Sequence, residues 1–128
     1  MLKPGGHRIG TAEIYRQLES IDAIADAVAV GQRWNDDVRI VLFVVLAPGT
    51  TLDGALEREI RTAIAKNASP YHVPARILAV ADIPYTRTGK KAELAVRQII
   101  HGEQVANAGS LANPGALDGY RDLAALRR

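Results

Sequence analysis

Val38-Arg39-Ile40-Val41-Leu42-Phe43-Val44-Val45-Leu46-Ala47 is β-branched, apolar and almost unbroken, and Pro48-Gly49 follows it at once. A run with so little polar alternation describes a strand covered on both faces, not one with a wet side. Proline cannot donate to a central ladder, so the strand stops there. Its longest uninterrupted apolar stretch, Ile40 to Ala47, has eight residues, far short of the about 20 that a membrane-spanning helix needs. The expectation is a central strand with other elements packed above and below it.

Upstream of it, Ile24, Asp26, Val28 and Val30 alternate with Ala25, Ala27 and Ala29. That pattern predicts a strand over 24–30. Gly31 and the polar run Gln32-Arg33-Trp34-Asn35-Asp36-Asp37 then read as the connection into the central strand. Further upstream, Ile14, Leu18 and Ile21 fall at i, i+4 and i+7 and predict an amphipathic helix over 11–21. Thr11 stands where a cap for its first turn is needed, and Glu13 lies near its positive end.

Downstream, Leu52, Leu56, Ile60, Ala63 and Ile64 hold helical spacing, with Thr50 or Thr51 in front as the cap and an end near Asn67. Ser69-Pro70-Tyr71-His72-Val73-Pro74 forces an irregular link, because prolines remove amide donors and push the residue before them out of the α region. The chain returns as a strand over 75–83 that ends at Pro84. Ala92, Val96, Ile99 and Ile100 form a third helical stripe, with Glu93 and Arg97 paired at i, i+4 and Gly102 as its stop. The order α, β, β, α, β, α around a small sheet of about three strands places the chain in the α+β class. Residues 1–102 read as one domain. Residues 103–128 read as a tail with a short helix opened by Asn113-Pro114, in which Leu117, Leu123 and Leu126 lean on a surface.

With 128 residues and 48% hydrophobic content, the chain can bury roughly two-thirds of its unfolded surface in a single core. Sixteen Lys+Arg against fourteen Asp+Glu give a formal charge of +2, too small for a nucleic-acid footprint. The absence of cysteine excludes a disulfide framework, a thiolate zinc site and a cysteine nucleophile, and it fits a reducing interior such as the cytoplasm. No apolar signal-peptide region opens the sequence. The abrupt start on Met-Leu-Lys-Pro-Gly-Gly suggests a piece of something larger.

Two elements carry chemistry. Pro84-Tyr85-Thr86-Arg87-Thr88-Gly89-Lys90 sets a lysine on a glycine-containing turn just after an apolar strand. A compact charge on a flexible stem can swing from such a turn into a cleft and meet a phosphate or carboxylate. The competing reading is a solvated Lys90-Lys91 pair at a helix N-terminus, where cations oppose the macrodipole. Thr-Gly-Lys alone is not the longer phosphate-binding loop. The second element is Gly5-Gly6-His7-Arg8-Ile9-Gly10-Thr11-Ala12-Glu13-Ile14. Gly6 admits close approach of another molecule and Arg8 offers a bidentate phosphate partner, against the plain alternative of a glycine turn with a surface arginine. His7 is given no catalytic role. His72 and His101 have no ligand spacing around them, so no metal site is expected.

Together these motifs resemble the C-terminal domain of adenylate-forming acyl-CoA synthetases. Pro84, Thr86, Thr88, Gly89 and Lys90 are similar to the last core motif of that family. Gly6, Arg8, Ile9, Glu13 and Ile14 are similar to the motif just after its interdomain hinge. The chain resembles the acetoacetyl-CoA synthetase branch on Pro4-Gly5-Gly6, on Arg8-Ile9-Gly10-Thr11-Ala12-Glu13-Ile14-Tyr15-Arg16-Gln17, on 38–46, on Asn67-Ala68-Ser69-Pro70, on Gly89-Lys90-Lys91, on Glu93-Leu94 and on Leu111-Ala112-Asn113-Pro114. His7 and Tyr85 depart from it, and His7 resembles the acetyl-CoA synthetase pattern instead; the alternatives are the same domain of an acetyl-, propionyl- or other acyl-CoA synthetase, or a noncatalytic binding module. The resemblance implies a mobile lid domain in which Lys90 serves adenylation, Thr88 and Gly89 lie by the nucleotide, Gly6 leaves room for the CoA thiol arm and Arg8 steadies phosphate groups. It also implies ATP, as Mg-ATP, and CoA as cosubstrates. The implied partners are a small carboxylic acid, a large N-terminal domain without which the piece is inactive, and a lysine acyltransferase and deacylase acting on Lys90. Neither nucleic acid nor membrane is an expected partner.

Overall fold

The computed structural model describes residues 9–106 and 108–127. Three strands, β1 (Ile24–Trp34), β2 (Asp37–Leu46) and β3 (Arg76–Ala79), form a sheet in the order β1-β2-β3. β1 pairs antiparallel with β2, from Trp34 opposite Asp37 down to Ile24 opposite Leu46. β3 runs parallel to β2, with Val41 opposite Arg76 and Val44 opposite Ala79. Three α-helices are described: α1 (Thr11–Leu18), α2 (Gly54–Asn67) and α3 (Glu93–Ile100). The α+β class and the central position of β2 agree with the sequence reading. No helix among the described residues is long and apolar enough to cross a membrane.

Period-two alternation divides the strands between two cores. Ala27, Ala29, Ile40, Leu42, Val44 and Ile77 face α1 and α2, where Ile14, Leu18, Leu56, Ile60 and Ile64 are buried. Val28, Val30, Val41 and Phe43 face the other way, onto Val96 and Ile99 of α3 and onto Leu111, Leu117, Tyr120 and Leu126. Leu117 and Leu126 are therefore buried, not laid on a surface, and the expected short helix is a pair of 3-10 segments at Pro114–Tyr120 and Ala124–Arg127. Tyr120 is fully buried, its ring 4.8 Å from Phe43 in an edge-on contact.

Several boundaries differ from the expectation for identifiable reasons. The polar run 32–34 belongs to β1, and the connection is only Asn35-Asp36, both at positive φ (49° and 62°). That is the type I′ geometry whose twist matches a hairpin. α1 starts after Gly10, with no side chain capping it, so Thr11 is its first residue and not its cap. Asp53, not Thr50 or Thr51, caps α2 by accepting the Leu56 N–H at 2.9 Å. β3 covers only four of the expected residues. α3 ends as expected at Gly102 (φ 72°). There the Gly102 N–H donates to the Ile99 carbonyl and the Glu103 N–H to the Gln98 carbonyl, the paired bonds of a Schellman ending.

Candidate active site

The lysine turn is built by its own backbone. The Thr86 N–H donates to the Lys90 carbonyl at 2.8 Å, and the Gly89 N–H donates to the Thr86 carbonyl at 2.9 Å. Tyr85 and Lys91 face each other across an antiparallel bridge below them. This is a hairpin with Arg87-Thr88-Gly89 as its three-residue loop, and Gly89 supplies the left-handed conformation (φ 88°) that such loops require. The Thr86 hydroxyl accepts the Lys90 N–H at 3.2 Å and lies 3.0 Å from the Thr88 hydroxyl. Arg87, Thr88, Gly89 and Lys90 are all exposed. Among the described residues none pairs with the Lys90 ammonium.

Lys91 is the opposite case. Its ammonium donates to Asp26 Oδ1 at 2.8 Å and to the Ala27 carbonyl, and it sits 4.3 Å above the Tyr15 ring. Tyr85 donates its hydroxyl to the other Asp26 oxygen at 2.6 Å. Tyr15 accepts the Ala29 N–H at 2.9 Å and donates to Glu93, so Glu93 is engaged there and the expected pair with Arg97 is not what holds it. β1 is an edge strand, and these side chains cover backbone groups at Ala27 and Ala29 that β2 does not reach. The same network ties the base of the hairpin to α1, β1 and α3.

The electrostatics follow from that crowding. Burial pushes the Asp26 carboxyl up, but hydrogen bonds from Lys91, Tyr85 and the Ala27 N–H, together with the Lys91 charge, outweigh it and leave it below the usual aspartate value. Burial, then the Asp26 carboxylate, pushes the Tyr85 hydroxyl up to about 12. Tyr15 is raised further, chiefly by burial. None of these groups is poised to exchange protons near neutral pH. The exposed ammonium of Lys90 is the group the arrangement offers to an outside anion.

Lys90, Thr88 and Gly89 thus share one hydrogen-bonded turn. Gly6, His7 and Arg8 lie outside the described residues. Glu13, which the sequence sets near the positive end of the first helix, pairs with Arg16 at 2.6 Å within α1. Sequence reasoning missed Asp26 and Lys91 as a pair, although an aspartate inside an apolar alternation calls for a buried counter-charge. It also missed Asn113, which bonds to Tyr85, Ile83 and Asp82.

A three-stranded sheet with helices on both faces, carrying an exposed lysine on a braced hairpin, is the frame of an adenylate-forming enzyme's C-terminal domain. The chain belongs to the AMP-binding enzyme C-terminal domain family, whose model matches residues 13–90 and so ends on Lys90. It is 58% identical over 126 residues to the acetoacetyl-coenzyme A synthetase of Rhizobium meliloti (strain 1021), covering 98% of this chain and 19% of that protein. Its structure resembles that of the acetoacetyl-CoA synthetase from Streptomyces lividans, with a TM-score of 0.82, 38% identity, and coverage of 94% of this chain and 19% of that one. An acyl-CoA synthetase from Brucella canis superposes over 75% of this chain and 18% of its own, with a TM-score of 0.69 and 29% identity. The chain spans about a fifth of the length of the curated relatives it matches.

Proposed function

We propose that this domain works as the catalytic lid of an AMP-forming acid–CoA ligase that converts acetoacetate, ATP and CoA to acetoacetyl-CoA, AMP and pyrophosphate. The observation that carries the reading is Lys90, an exposed ammonium on a hairpin held from beneath by Lys91, Asp26 and Tyr85. In the first half-reaction a carboxylate oxygen attacks the α-phosphorus of Mg-ATP and pyrophosphate leaves. Two anions are forced together in that transition state, and a cation placed beside them lowers the barrier. Lys90 supplies it, with Thr88 and Gly89 against the nucleotide. In the second half-reaction the CoA thiol attacks the acyl carbon and AMP leaves. Gly6 gives the thiol arm room, and Arg8 holds phosphate groups.

Neither half-reaction is complete on this domain alone, because the acyl and adenine pockets belong to the large N-terminal domain of the same enzyme. Presenting first the Lys90 face and then the Gly6 face requires the domain to rotate against that partner. Acetoacetate is the preferred acid because the acetoacetyl-CoA synthetases of Rhizobium meliloti and Streptomyces lividans match nearly the whole chain. We place the enzyme in the cytoplasm, in keeping with a chain free of cysteine. Lys90 also suits a reversible acyltransferase and deacylase pair: acylation would delete its charge and silence adenylation, while Lys91 is shielded by Asp26. The test is to assay the full-length enzyme against acetoacetate, acetate, propionate and longer acids. AMP release fastest with acetoacetate supports the reading, and acid-independent or absent AMP release contradicts it.

A further inference from the structure

The stretch 108–127 is fastened along its whole length, and its first fastening is to the lysine hairpin. The Arg87 N–H donates to the Ser110 carbonyl at 3.0 Å, the Ala112 N–H donates to the Tyr85 carbonyl at 2.8 Å, and Thr86 faces Leu111 across an antiparallel bridge. Asn113 follows with three bonds. Its Oδ1 accepts the Tyr85 N–H at 2.8 Å, and its Nδ2 donates to the Ile83 carbonyl at 2.8 Å and to Asp82 Oδ2 at 3.0 Å. The Tyr120 hydroxyl donates to the Asp82 carbonyl at 2.7 Å. At the far end Gln32 and Arg39 donate to the Leu126 carbonyl at 2.8 and 3.1 Å.

An isolated two-stranded hairpin is marginal in water, and this one has a single bridge below its loop. Residues 110–112 add a third segment alongside it, joined by one bridge and two backbone bonds. Asn113 then pins the chain that leads into the turn, using an acceptor and two donors that only a carboxamide presents together. Tyr85 is thereby gripped through its backbone by this stretch and through its hydroxyl by Asp26, which fixes the plane from which Lys90 projects.

Taking Lys90 as the adenylation lysine, we propose that Asn113, with the backbone of residues 110–112, is a positioning element for Lys90, so that adenylation depends on it and thioester formation does not. All three bonds of the Asn113 amide are made to the chain itself, so it acts through the hairpin. A displacement of about 1 Å at a reacting group can cost on the order of 100-fold in rate.

The test uses the full-length enzyme with Asn113→Ala, and with Arg87→Pro compared against Arg87→Ala. Proline is favoured at the second position of such turns, so Arg87→Pro removes the bond to Ser110 and leaves the loop's own bonds in place. Acetoacetate-dependent pyrophosphate exchange should fall about 10-fold or more, through kcat with KM for ATP held within about 3-fold, in Asn113→Ala and in Arg87→Pro relative to Arg87→Ala. Thioester formation from preformed acetoacetyl-AMP and CoA should stay within about 2-fold of wild type. Equal losses in both half-reactions, or unchanged exchange, would overturn the proposal. Lys90→Ala separates the two ways of failing. Exchange lost in Lys90→Ala but intact in Asn113→Ala removes the positioning role alone, and exchange intact in Lys90→Ala removes the reading of the site with it.

Discussion

Lys90 and Lys91 are neighbours in sequence with opposite surroundings: Lys90 is exposed on the turn, and Lys91, at the bridge to Tyr85, is turned inward onto Asp26. Lys91 is spent on Asp26, and the resulting pair makes stability depend on pH. The folded-state value of Asp26 lies below its unfolded value, so its contribution is present above about pH 4 and lost as pH falls through the depressed value. Asp26→Asn should therefore be less stable than wild type at pH 7, with the gap in unfolding temperature narrowing on acidification below about pH 4. Tyr85 runs the other way. Its raised value of about 12 means a contribution present below about pH 10 and lost as pH climbs through 12, and Tyr85→Phe should lessen the alkaline loss in the same scan, with Tyr15 and Tyr120, also raised by burial, supplying the rest. At Gly89 no atom beyond its chain neighbours lies within 4 Å of where a Cβ would stand, so Gly89→Ala carries only the backbone penalty of the left-handed conformation, about 1–2 kcal/mol. Thermal unfolding measures it. The Thr-Gly-Lys turn was legible in the sequence because glycine and lysine announce their own conformation and charge. Asp26 was less legible, since its partner lies 65 residues away.

At the scale of elements, periodic segments were readable and their ends were not. The stripes of α1, α2 and α3 and the apolar run of β2 are set by spacing within one segment. The reach of β1 to Trp34 is set from outside it. Gln32 and Arg39 stand opposite each other in the ladder, Arg39 donates to Gln32 at 2.7 Å and stacks 3.7 Å over Trp34, and both bond Leu126 near the far end of the chain. A polar run looks like a loop until those partners are known. β3 stops at Ala79 because beyond the Val80 N–H, which still reaches the Val44 carbonyl, the chain turns away toward Pro84. Asp53 holds the start of α2 through one bond, so Asp53→Ala should lower stability by about 1 kcal/mol. Thr50→Ala and Thr51→Ala should each cost much less in the same denaturant titration.

Over the whole molecule, one sheet separates two cores, and the second is closed by a stretch rich in glycine, alanine and asparagine. Its 3-10 segments have no repeating apolar spacing to read; single anchors at Leu111, Leu117, Tyr120 and Leu126 do the packing. Phe43 lies under those anchors, and Phe43→Ala should cost about 3–5 kcal/mol by leaving a cavity between sheet and strap. The proposed role of Lys90 in the adenylation step of a larger ligase is tested by Lys90→Ala in the full-length enzyme, following acetoacetate-dependent pyrophosphate exchange and, separately, thioester formation from preformed acetoacetyl-AMP and CoA. Exchange should fall about 100- to 1000-fold with thioester formation nearly intact. Full exchange in that variant would contradict it.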